Sequence, residues 1–332
     1  MPNREMNHLH HQADTLSHCA SMECENQTRV YHFVIVGFPY PHDLRFLLFV
    51  FFLLIYLMTF LGNLLILLAV AFEPQLHKPM YWFLCHLSLL DMTVSSVVVP
   101  KMVAGFLERG GIISFGGCVT QLFFFHFLGC TECFLYTVMA YDRFLAICKP
   151  FRYGNIMNPK ACLSLSLGTL FGGSVHSMIQ TTLTFHLPYS HGNQVAYIFC
   201  DIPAVLKLAC TDTSLNEMAT FVDIGFLAMT CFLLIIISYI YIISAILRIR
   251  HAEGRRRAFS TCAAHLTVVM TYYVPLVFIY LRPGSRDPLD GVVAIFYTTI
   301  TPLLNPIIYT LRNKEMKNAL RKLCLWHLLR PS

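Results

Sequence analysis

From Phe46 to Phe72 the chain carries no charged residue over 27 positions. A helix rising about 1.5 Å per residue crosses a roughly 30 Å hydrocarbon core in about 20 residues, so this run predicts a membrane-spanning helix. Six further apolar runs follow, at about 79–107, 121–147, 161–184, 223–247, 258–281 and 291–311. The pattern predicts an all-α fold, a seven-transmembrane helix bundle over residues 46–311. The fourth run is the least hydrophobic, being rich in Ser, Thr and Gly, and such a helix is tolerable where small residues let it pack closely on its neighbours. Residues 1–45 are polar and His-rich, with no apolar core of signal-peptide type before Phe46. The first span is therefore expected to act as its own insertion signal, preceded by a flexible tail. In residues 312–332, Lys314 to Leu329 reads as a short amphipathic eighth helix. Met316, Leu320, Leu323 and Leu328 fall where they can rest on bilayer lipid, with Lys317, Arg321 and Lys322 toward anionic headgroups. Cys324 there reads equally as a palmitoylation site or as an unmodified interfacial cysteine.

Composition narrows this further. Of 332 residues 56% are hydrophobic and 13% charged, about half the charge of a soluble domain. Thirteen cysteines are spread along the chain with a single Cys-x-x-Cys, Cys130 to Cys133, and no second to pair with it, which indicates neither a zinc site nor a disulfide scaffold. A net charge of +6 would raise nucleic acid as a partner for a soluble protein, but its distribution has a simpler cause. With the N-terminus outside, 16 of the 24 Lys and Arg residues fall in the loops and tail on the cytoplasmic side. The positive-inside rule thus makes the N-terminus extracellular. Asn26 then heads a glycosylation sequon, Asn26-Gln27-Thr28, on the correct side of the membrane. His8, His10, His11 and His18 form a metal-binding composition in the tail, but ordering a flexible segment around an ion costs chain entropy.

Three acids stand out against the apolar background. Asp142 and Arg143 lie where the third span meets the cytoplasmic side. An adjacent acid and base there can hold two states, Arg143 paired or Arg143 released toward a docking partner; the plainer alternative is two interface charges ending a helix. Asp91 and Glu132 lie deep in the second and third spans, where an ionisable group is costly enough to be read as functional. Two facing carboxylates cannot both stay charged and dry, so one holds a proton or a cation lies between them. A sodium ion would also need hydroxyls and an amide, for which Asn305 is available.

These features occur within a recognisable series of motifs. Gly62-Asn63, Pro79-Met80-Tyr81-Trp82-Phe83-Leu84, Leu87 to Asp91, Met139 to Pro150, Arg257 to Leu266 and Pro302 to Tyr309 follow one another with spacing that resembles the odorant receptors, a family of rhodopsin-like (class A) G-protein-coupled receptors. The resemblance runs from Phe33 to Leu323. It implies that Asp142, Arg143 and Tyr309 form the switch gating the G-protein site, and that Asp91 and Glu132 match the family's sodium or proton site. It implies that Pro306 kinks the seventh helix, and that Cys118 and Cys200 form the disulfide tying the second outer loop over the ligand cavity. Phe144 replaces a commoner Tyr. Ser190 stands where these receptors usually have a further loop cysteine, which leaves the pairing of Cys210 in question.

The same resemblance puts the ligand between the outer halves of the third, fifth, sixth and seventh spans. Phe125, His126, Gly129 and Cys130 would face it from the third helix, with Tyr273, Leu276, Val277 and Tyr280 from the sixth. Such a lining suits a small volatile or lipophilic molecule held by one hydrogen bond; His126 and Tyr273 are the polar members, whereas His176 and His265 read as internally bonded packing residues. The implied partners are an odorant, a heterotrimeric stimulatory olfactory G protein and membrane lipids. The consequence of binding would be a rise in cyclic AMP, as in smell. A transporter would need repeat-related broken helices, and a membrane enzyme a nucleophile with a base or a metal motif such as His-Glu-x-x-His; neither pattern occurs.

Overall fold

The computed structural model describes residues 30–37, 40–107, 111–189, 192–280 and 289–328. Seven helices in it are long and apolar enough to cross a membrane. They are α1 (Arg45–Phe72), α2 (Pro79–Leu107), α3 (Phe115–Cys148), α4 (Pro159–Phe185), α5 (Ser214–Leu247), α6 (Ala252–Tyr280) and α7. The seventh is built of three pieces, Leu289–Ile295, a π-helical turn Phe296–Ile300, and Thr301–Arg312. A last helix, α8 (Lys314–Leu328), follows a break at Asn313.

Many outward-facing side chains are large and apolar, Phe46, Leu57, Phe226 and Ile240 among them, an arrangement that only lipid rewards. α3 is the axis of the bundle: 61% of its most apolar stretch is buried, against 28% for α1 and for α5. α3 and α5 begin earlier than their apolar runs at Gln121 and Asp223 suggested. Ser114 caps α3 by accepting the Gly117 N–H at 3.0 Å, and Thr213 bonds Glu217 at 2.9 Å in the first turn of α5. Helices so started continue past the hydrocarbon edge, because backbone hydrogen bonding does not stop where apolarity does.

α4, the weakly hydrophobic span, is held by close approach. A Cβ on Gly173 would lie 2.3 Å from Thr131 Oγ1 and 2.8 Å from the Phe127 carbonyl oxygen of α3. Only a residue without a side chain lets these backbones meet.

The proline-rich α7 is repaired by its neighbours. Pro306 has no N–H, which strands the carbonyl of Pro302 one turn earlier. Asn63 of α1 donates Nδ2 to that oxygen at 3.2 Å. Gly62 leaves room for this approach, since a Cβ there would sit 3.2 Å from the Pro306 ring. α1 thus satisfies the carbonyl that Pro306 frees, and the irregular turn of α7 lies upstream at Phe296–Ile300, before Pro302.

At one end of the bundle a small sheet joins three distant segments. β1 (His32–Ile35) pairs antiparallel with β2 (Gly111–Ser114) and parallel with β3 (Gln194–Val195). Phe33 is fully buried against Phe115 and Tyr189. The Cys118–Cys200 disulfide ties the same region to α3, with Cα atoms 5.5 Å apart. At the opposite end α8 is pinned to the α1–α2 turn, with Lys78 and Tyr81 each 2.9 Å from Glu315 and Lys322 2.8 Å from Glu73.

Candidate ligand cavity and switch

Toward the sheet-bearing end the helices enclose a cavity of about 60 Å³. α3 supplies Phe125, His126, Gly129, Cys130, Glu132 and Cys133; α5 supplies Ile224, Leu227 and Ala228; α6 supplies Tyr272 and Leu276. Val94, His176, Tyr297 and Thr298 complete it from α2, α4 and α7. The α3 residues recur at the spacing of one helical face, as the sequence suggested.

The buried segment between Tyr197 and Leu206 covers this space. Phe199 packs on Phe125 with ring centroids 4.5 Å apart, and Asp201 reaches His126 Nε2 at 3.3 Å. Asp201 also caps the short helix Ile202–Leu206 by accepting the Ile202 N–H at 2.9 Å. Gln121 fastens the cover to the bundle. Its Oε1 accepts the Cys200 N–H and its Nε2 donates to the Val97 carbonyl, both at 3.0 Å. A second polar edge comes from α4 and α5: His176 Nδ1 lies 2.9 Å from Asp223 Oδ2, which also accepts from Gln180 at 2.6 Å. The cavity is therefore apolar with two histidines at one wall, their rings 6.4 Å apart.

Several expected residues stand elsewhere. Tyr273 is buried but does not line the cavity; it packs on Phe232 and donates to the Cys133 carbonyl at 3.5 Å. Val277 is 37% exposed on the outside of α6. The reason is helix phase: Tyr272 and Leu276 share one face, and 273 and 277 share the next, about 100° round. Tyr272 is the cavity residue, bonding the Gly129 carbonyl at 2.6 Å. His176, read from sequence as packing, lines the cavity. The side chains of Tyr280 and Cys324 lie outside the described residues, as do Asn26, the histidine cluster at 8–18 and Ser190. Cys210 takes no part in the Cys118–Cys200 bond, and its amide donates to the Pro188 carbonyl at 3.0 Å.

At the inner edge of the cavity, which Glu132 itself lines, lies the acid pair. Asp91 is buried and accepts Asn305 Nδ2 on both oxygens, at 2.9 and 3.0 Å. Glu132 is close enough for its charge to act on Asp91. Glu132 Oε1, Asn305 Oδ1 and Ser95 Oγ are buried without a hydrogen-bond partner. Buried oxygens left unbonded on residues of this kind are the donor type that a small hard cation or a shared proton would use. Among the described residues no group of three His, Cys, Asp or Glu side chains could hold a metal ion, so a cation here would depend on the hydroxyl and amide oxygens.

At the far end of α3 the switch residues are not directly paired. Asp142 is buried and accepts the Tyr153 hydroxyl at 2.8 Å, and Arg143 lies on the sulfur of Met80 in α2. No Asp142–Arg143 bridge occurs among the described residues. Adjacent residues on a helix point about 100° apart, so Asp142 turns to the short helix Pro150–Ile156 and Arg143 into the bundle. Burial, with the Asp142 carboxylate beside it, pushes the Tyr153 phenol far above its ordinary range and keeps it a proton donor. Tyr309 is already buried, its hydroxyl without a partner. Tyr239 bonds His265 Nδ1 at 2.7 Å nearby.

The fold is a seven-helix membrane bundle with an apolar cavity toward one end and the buried Asp142 beside Arg143 at the other, the architecture of a membrane receptor. The family model for olfactory receptors matches residues 52–326. Human olfactory receptor 10G6 is 65% identical over 302 residues, 91% of each chain. Human olfactory receptor 10G3 is 58% identical over 91% of this chain and 97% of its own, and mouse olfactory receptor 10D1B 51% identical over 89% and 95%. The chain belongs to the olfactory receptor family of G-protein-coupled receptors. It is a multi-pass plasma-membrane protein that senses odorants and signals through G proteins, and not an enzyme.

Proposed function

We propose that a small lipophilic odorant binds in the cavity beneath Phe199 and drives a stimulatory olfactory G protein to raise cyclic AMP. The observation that carries this reading is the cavity itself, apolar, covered, and walled on one side by α6 through Tyr272 and Leu276. Its 60 Å³ is small beside the roughly 150 Å³ that holds benzene in an engineered protein cavity. A ligand must therefore widen it, and the α6 wall is one that can yield. Agonist would favour the population in which α6 has moved outward and Arg143 has left Met80. In this reading the sheet-bearing end is extracellular, Asn26 is glycosylated and α8 lies on the cytoplasmic leaflet.

Phe125, His126, Gly129, Cys130, His176, Tyr272 and Leu276 would shape the ligand site, with the histidine wall supplying the hydrogen bond. Asp91, Glu132, Asn305 and Ser95 would hold sodium or a proton between the cavity and the switch, coupling the two. Asp142, Arg143 and Tyr309 would gate the G protein. The test is cyclic AMP in cells expressing the chain with a stimulatory olfactory G protein, across a broad odorant panel with surface staining. A dose-dependent rise that vanishes in Arg143→Ala at equal surface level supports the reading; a response unchanged by Arg143→Ala contradicts it.

A further inference from the structure

A second hollow lies on the outside of the bundle, between α6 and α7. Ala263, Thr267, Met270, Thr271 and Val274 line it from one face of α6, and Phe296 from α7, around about 620 Å³. Met270, Val274 and Phe296 are 45%, 56% and 40% exposed, on the side of the helices that faces the bilayer. The inner cavity is directly behind. Tyr272 and Leu276 line it from the same turns of α6, and Tyr297 and Thr298 follow Phe296 in α7. The two spaces are separated by one thickness of helix.

That wall is weak at this level in both helices. Pro275 has no N–H, which strands the Thr271 carbonyl in α6. The Thr301 hydroxyl of α7 meets it at 3.4 Å, a long bond. Opposite, α7 is in its π-helical turn, Phe296–Ile300, a geometry found mostly as single turns and often at functional sites. The route from water is better sealed: the cover is a disulfide-tied, largely buried segment held by Gln121, Asp201 and the Phe199–Phe125 contact.

We propose that the α6–α7 groove is a second binding site, which takes the apolar ligand from the bilayer and admits it sideways to the cavity, with the Thr301–Thr271 bond as the latch. The proposal rests on the cavity being the ligand site. The occupant is an apolar molecule of odorant size; a resident acyl chain that never reaches the cavity is the competing occupant.

The test uses full-length receptor in phosphatidylcholine vesicles and, as probe, phenyl(trifluoromethyl)diazirine, a small apolar molecule that dissolves in the bilayer. It is mixed in rapidly and photolysed after increasing delays, and labelled residues are found by mass spectrometry. Met270, Val274 and Phe296 should be labelled first and Tyr272 and Leu276 later. Val274→Trp, which fills the groove, should slow labelling of the cavity several-fold. Thr301→Val, which releases the latch, should speed it by roughly threefold, the size expected of one neutral hydrogen bond. Labelling of Leu233 and Ile237 on α5 should be alike in all three proteins. Equal cavity labelling rates in all three would overturn the side route while leaving the cavity as ligand site, and groove labelling with those equal rates would identify a lipid acyl site only. No cavity labelling in any protein would overturn the cavity reading and the route with it.

Discussion

Gly173 offers the sharpest test of how this bundle is held together. Replacing it with Ala puts a methyl group 2.3 Å from Thr131 Oγ1, 2.8 Å from the Phe127 carbonyl oxygen and 3.1 Å from the Thr131 amide nitrogen. Ordinary contact begins near 3.4 Å, so α4 must retreat from the Phe127 carbonyl by about 0.6 Å (3.4 − 2.8). The Thr131 hydroxyl cannot simply rotate away, because it donates to the Phe127 carbonyl at 2.7 Å. Overpacking of this kind costs about 1–3 kcal/mol, and a lost neutral hydrogen bond about 1 more. Against this, Ala is favoured over Gly within a helix by about 1 kcal/mol. The net expectation is a loss of about 1–3 kcal/mol. Gly168 is the control on the same helix: a methyl group added there would meet nothing within 4 Å, and Ala should stabilise by up to about 1 kcal/mol. Thermal unfolding of detergent-solubilised receptor, with surface staining in cells, reads both. Equal stability of the two variants would refute the claim that close α3–α4 backbone contact, rather than hydrophobicity, seats the fourth span.

Tyr153→Phe leaves the buried Asp142 carboxylate without its hydrogen bond, a penalty of about 1–3 kcal/mol on the resting arrangement. Basal cyclic AMP should rise, and an unchanged basal level would remove Tyr153 from the switch. Asn63→Ala strands the Pro302 carbonyl inside the bundle at a similar cost and should lower surface delivery; normal delivery and thermal stability would mean α7 does not depend on α1 for its repair. Neutralising Asp91 and Glu132 together, as Asn and Gln, should abolish any dependence of activation on sodium concentration, while a dependence that persists would place the ion elsewhere.

Seven spans were legible because a long uncharged run has few structural explanations besides a bilayer. The disulfide was legible through resemblance alone, since spacing within a thirteen-cysteine chain does not choose a partner. The α3 face of the cavity came out in phase because Phe125, His126, Gly129 and Cys130 form a self-consistent helical stripe. On α6 no such stripe separates the face of 272/276 from that of 273/277, as tyrosines and aliphatics stand on both, so the expected set mixed them: Leu276 lines the cavity and Tyr273 and Val277 do not. His176 gave no signal in a helix read as packing, and its partner Asp223 is 47 positions away in sequence. The sheet joining His32–Ile35 to two loops was likewise invisible, being fixed by pairing between segments that no local pattern connects.

The central claim is that the odorant occupies the space walled by Tyr272 and Leu276, and one pair of variants tests it most directly. Once an agonist is found, cyclic AMP dose–response curves are compared for Leu276→Trp, which fills the cavity, and Val277→Trp, which adds the same indole to the outer face one residue on. At matched surface level the account predicts that Leu276→Trp loses the response and Val277→Trp keeps it. Loss in Val277→Trp with a normal response from Leu276→Trp would contradict it.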